Sequence, residues 1–172
     1  MNTGKLHMTR RNALIGISGS LLAAPALVSS ALADNHVSTV YTDGTLIISQ
    51  LSLAISKMAI TKTKNPLVRQ FAVLESEEQT AVSYVIESTG VKPPPRPDDL
   101  EKDYQALLAA EGEEFDRQYI QAEIHGHEKL LTYQEPESGK KPVNVDVATA
   151  QILVAFIHTH LTMLAEIRKQ IG

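Results

Sequence analysis

The chain has 172 residues, with 16 basic and 20 acidic side chains and a net charge of −4. It shows no clustered patch of Lys and Arg, so nucleic acid is not an expected partner. The absence of cysteine excludes disulfides, thiolate metal sites and thiol catalysis. Residues 1–33 differ in character from the rest. Lys5, Arg10 and Arg11 form a basic head, residues 13–28 an apolar run, and Ala31-Leu32-Ala33 a small-residue cleavage site. This pattern predicts a cleaved signal peptide, because the run is too short for the ~20 residues that span a bilayer. Thr9-Arg10-Arg11-Asn12-Ala13-Leu14 resembles a twin-arginine export motif, so the expected location is the periplasm or beyond. Cleavage would remove three basic side chains and no acidic one, leaving 13 against 20 in a single acidic domain, residues 34–172.

In that domain the first predicted helix covers 41–63, with a stripe of Ile47, Leu51, Ala54 and Met58. Asn65 is a fitting N-cap and Pro66 a fitting first residue for a second helix reaching Ser88. Its stripe is Leu67, Phe71, Leu74, Val82 and Val85, and Glu78 is the stripe's one charged member. Gly90 stops it, and a proline-rich stretch follows. Asp98 or Asp99 caps a short helix to Ala110. A third long helix is expected over about 113–134, ended by the Pro136 to Pro142 stretch, and a fourth over about 144–170. No segment alternates with a strand's period of two. The fold class is all-α: a ferritin-like four-helix bundle, with a short extra helix in the long crossover between the second and third long helices.

Two histidines stand in apolar stripes. His127 follows Ile120 and Ile124 on one face, and His160 falls among Ile152, Phe156, Met163, Leu164 and Ile167. With Glu78 or Glu75 as carboxylate, and Glu123 one turn before His127, they could hold a single zinc, iron or manganese ion. A di-iron centre is disfavoured, since no Glu-x-x-His repeat is present. Alternatively, the same groups with Asp116 and Tyr119 form a hydrogen-bonded core network, or the histidines lie at a wet end. Glu75, with Glu77, Glu111, Glu113 and Glu114, otherwise reads as solvated helix face. His125, His158 and His36 are expected in solvent. Ser76 and Ser83 have no histidine at nucleophile spacing, and no phosphate-binding glycine loop is present.

Phe115-Asp116, Tyr119, His127 eleven residues after Asp116, and His160-Leu161 together resemble a family. It is the bacterial domain-of-unknown-function family 4142, secreted ferritin-like helical proteins often labelled outer membrane proteins. The resemblance covers about 42–169. Many members follow Phe-Ala with an Asp-His pair in the second helix. Here Phe71-Ala72 matches but Glu78-Gln79 replaces the pair, so a charge is kept and a nitrogen ligand lost. The resemblance implies an exported protein with a binding or envelope role, associated with stress. A metalloprotein, redox active or not, is the competing reading. The chain after cleavage is expected to have no membrane span, with peripheral attachment or a protein partner open.

Overall fold

The computed structural model describes residues 39–172, so the expected signal peptide and His36 lie outside the described residues. Five helices and no strand occur among them: α1 Val40–Lys62, α2 Pro66–Glu87, α3 Asp98–Ala109, α4 Gly112–Ser138 and α5 Val145–Ile171.

Local chemistry sets most of the boundaries. Thr39 and Thr42 close a reciprocal capping box at the start of α1. Asn65 Oδ1 accepts from the amides of Leu67 and Val68, with Pro66 at the first position of α2. Asn144 does the same for Val147 at the start of α5. Two boundaries differ from expectation: α3 starts behind Pro97 with no side-chain cap, so Asp98 and Asp99 lie inside its first turn rather than capping it, and α4 runs through Pro136 to Ser138. Pro136 offers no amide to the Thr132 carbonyl, and the helix ends within a turn of it.

The four long helices enclose the core. α1 packs along α2 and α4, and α4 packs along α5, whereas α2 and α5 meet only sparsely. α3 lies against α1 and α4 and commits one buried side chain, Leu107. The apolar core falls into two clusters. One holds Ile55, Phe71, Phe115, Ile120 and Leu164; the other holds Leu46, Ile86, Leu130, Leu153 and Ile157. Each fully buried side chain of this size contributes about 1.5–3 kcal/mol.

Three helices are rotated about one residue from the apolar stripes read in the sequence. α1 turns Thr45, Ser49, Ser52, Ile55, Ser56 and Ala59 inward, and leaves Ile47, Leu51, Ala54 and Met58 half-buried. α2 buries Val68, Phe71, Ala72, Glu75, Gln79 and Val82, while Leu74 is exposed. α5 buries Leu153, Ile157, His160, Leu164 and Ile167, while Ile152 and Phe156 are 56% and 44% exposed. α1 and α5 are also long and apolar enough to cross a bilayer by length and composition alone.

Candidate metal centre

Between the two apolar clusters, all four long helices bring polar side chains to one level. α4 supplies Tyr119, Glu123 and His127, spaced by four and therefore on one face. α2 supplies Glu75 and Gln79, α1 supplies Ser52 and Ser56, and α5 supplies His160. All are buried. The Phe71 ring seals one side, with centroids 6.2 Å from His127 and 5.4 Å from His160.

Glu75, His127 and His160 form the centre. Glu75 Oε2 lies 3.0 Å from His160 Nδ1 and 3.4 Å from His127 Nε2, and the two ring nitrogens are 3.0 Å apart. A hydrogen bond behind the His127 ring and an ion-pair contact behind the His160 ring set what points inward. His127 Nδ1 is 2.7 Å from the Glu123 backbone carbonyl, which can only accept, so Nδ1 carries the hydrogen and Nε2 offers a lone pair. His160 Nε2 is 3.3 Å from Glu78 Oε2, which places a hydrogen there and frees Nδ1. Glu75 Oε2 is buried with no aligned hydrogen bond. Its other oxygen accepts from Ser52 Oγ at 2.7 Å and from Gln79 Nε2 at 2.8 Å. Three lone pairs thus converge on one point. Ligand atoms about 2.1 Å from a tetrahedral ion stand about 3.4 Å apart, close to the spacing found here.

Without a metal, protons must hold this arrangement. Ser52 lies 2.7 Å from Glu75 Oε1 and 2.9 Å from Glu123 Oε2, yet has one hydrogen to give. One carboxyl therefore carries a proton. Burial, then the charge of Glu75, pushes Glu123 up to about 8. Burial would also raise Glu75, but the two imidazoles beside it outweigh that and hold it well below the usual carboxylate range. Burial alone would lower both imidazoles, but the carboxylates raise His127 and push His160 up to about 10. Across a 3.0 Å contact the two rings hold one shared proton, so they titrate as a pair.

The sequence-selected residues divide cleanly. Glu75, taken mainly for solvated surface, is fully buried at the centre. Glu78, taken for the stripe's core charge, is 29% exposed at the rim and touches only the outer nitrogen of His160. Glu123 and Tyr119 border the centre: Ser56 Oγ donates to Glu123 at 3.0 Å and lies 2.9 Å from the Tyr119 hydroxyl. Asp116 is buried, but among the described residues no hydrogen bond or ion pair joins it to the cluster, and its Oδ1 has no partner. His125 and His158 are exposed. Ser52, Ser56 and Gln79 were missed. The signal for the two serines was hydroxyls spaced by three and four, Ser49-Ser52-Ser56, along an apolar helix.

An all-helical domain with a buried Glu/His cluster is the class defined so far. The chain belongs to the family described as a domain of unknown function, DUF4142, which matches residues 26–167. No curated protein and no solved structure matches it.

Proposed function

We propose that this is an exported metal-binding protein, a ferritin-like four-helix bundle that holds one divalent transition ion on Glu75, His127 and His160. The observation that carries the reading is the convergence of Glu75 Oε2, His127 Nε2 and His160 Nδ1, with each imidazole oriented from behind. Two nitrogens and one carboxylate oxygen suit zinc, iron(II) or manganese(II). Charge supports it too. A dication would replace the proton shared by the imidazoles and the one on Glu123, so the interior stays neutral. Such an ion would act as a Lewis acid, and iron or manganese would add a redox couple.

Export rests on the basic, apolar and small-residue pattern of residues 1–33. α1 and α5 read as core helices of a protein carried in the periplasm, without a membrane span. The support is that α1 delivers Ser52 and Ser56 to buried carboxylates. Peripheral contact with the envelope or a protein partner is compatible with this reading, as is the family's association with the envelope and with stress.

A second reading, a purely internal hydrogen-bonded network, is favoured by the hydrogen bonds that Ser52, Ser56 and Gln79 already give the carboxylates. Elemental analysis separates the two. After incubation with zinc, iron(II) or manganese(II), the protein should retain about one ion per chain, and His127→Leu or His160→Leu alone should abolish it. Absence of retained metal, with the double leucine variant at least as stable as the parent, would reject the metal reading in favour of the network.

A further inference from the structure

The centre is closed to water almost everywhere. Side-chain exposure is 0% for Glu75, 1% for Glu123, 3% for His127 and 7% for His160, then rises to 29% at Glu78. Two grooves on the described surface are lined mainly by α1, α3, α4 and α5 and touch none of Glu75, Glu78, His127 or His160. An ion therefore reaches the ligands only if a side chain moves, and the geometry singles out which one. Glu75 and Glu78 are three residues apart on one face of α2, and the His160 ring stands between them. One ring nitrogen faces Glu75 at 3.0 Å and the other faces Glu78 at 3.3 Å. The ring comes from α5, which α2 meets far more sparsely than it meets α1. The opposite imidazole, His127, is pinned by its bond to the Glu123 carbonyl.

We propose that the seam between α2 and α5 is the loading route for the divalent cation, with Glu78 as the capturing carboxylate and His160 as the movable ligand. This rests on the metal-binding reading above. Glu78 exchanges part of the ion's water shell for its own oxygens. Rotation of the His160 ring then opens the way to Glu75, and the ring closes behind the ion with Nδ1 as ligand and Nε2–H again donating to Glu78. Charge at the mouth of the seam speeds arrival, whereas the final affinity depends on the three inner ligands.

The test is the rate of zinc uptake by the folded protein, followed by stopped flow against a chromophoric zinc chelator. It compares the parent with Glu78→Gln, which keeps an acceptor for His160 Nε2–H but removes the charge, and with Glu77→Gln as an exposed neighbour. Equilibrium zinc content is measured alongside. The expected result is about one zinc per chain in all three, with uptake by Glu78→Gln slowed about tenfold and losing most of its salt dependence. Release from Glu78→Gln should slow as well, and Glu77→Gln should match the parent. Parental uptake rates in Glu78→Gln would overturn the route while leaving the metal site intact. Loss of equilibrium binding in Glu78→Gln would make Glu78 a holding ligand, which also overturns it. Failure of the parent to bind zinc, iron(II) or manganese(II) would remove the metal reading itself.

Discussion

Glu123 is buried beside an ionised carboxylate, and that position makes the metal-free protein sensitive to base. Its folded pKa, pushed up to about 8 by burial and Glu75, lies above the ~4.3 of an unfolded glutamate. The stability this contributes is complete below the unfolded value and is lost as pH rises through 8. His160 acts in the same direction, from an ordinary 6.5 to about 10. Glu75 acts oppositely, since a lowered carboxylate gives stability above its unfolded value and loses it in acid. Metal-free protein should therefore unfold at progressively lower temperature between about pH 4.3 and pH 10, as followed by circular dichroism. Glu123→Gln should flatten the part of that fall between about pH 4.3 and about pH 8. A melting temperature constant across this range would contradict the assignment. The two histidines could be picked out because imidazoles among leucines and isoleucines are conspicuous. The choice between Glu75 and Glu78 could not, because they are three residues apart and both border apolar positions. Only the actual rotation of α2 sends Glu75 inward and leaves Glu78 at the rim.

α1 shows why hydrophobic pattern alone misjudged the rotation of the helices. Its inward face is rich in hydroxyls: Thr45, Ser52 and Ser56 find partners on other helices, Thr42 bonds back to the Thr39 carbonyl, and Ser49 Oγ has no hydrogen-bond partner among the described residues. The more apolar flank, Ile47 to Met58, therefore resembled the core. Helix ends were more legible, since Asn65-Pro66, Asn144 and Gly90 act through local sterics and capping. One close approach depends on a residue too small to advertise itself. A Cβ on Gly44 of α1 would stand 2.5 to 2.7 Å from three ring atoms of Tyr133 on α4. Gly44→Ala should destabilise by about 1–2 kcal/mol net, overpacking exceeding the gain of about 1 kcal/mol in helix propensity. In a Tyr133→Ala background the same change should become stabilising. Denaturant midpoints of the four proteins give the answer, and equal effects in both backgrounds would show that the ring yields.

Taken together, the described domain is two apolar clusters joined through a polar layer in which every long helix takes part. No cysteine staples it, so burial and that layer carry the stability. The all-helical class was readable because prolines and glycines punctuate the chain and no stretch alternates as a strand would. The convergence of three lone pairs was not, because it depends on how four helices are levelled against one another over separations of 33 residues and more. Anomalous diffraction from crystals of the metal-loaded protein tests that convergence most directly. A peak at the metal's absorption edge, enclosed by Glu75 Oε2, His127 Nε2 and His160 Nδ1, is the predicted result. Peaks confined to surface carboxylates or the exposed His125 and His158, with none between these three atoms, would contradict it.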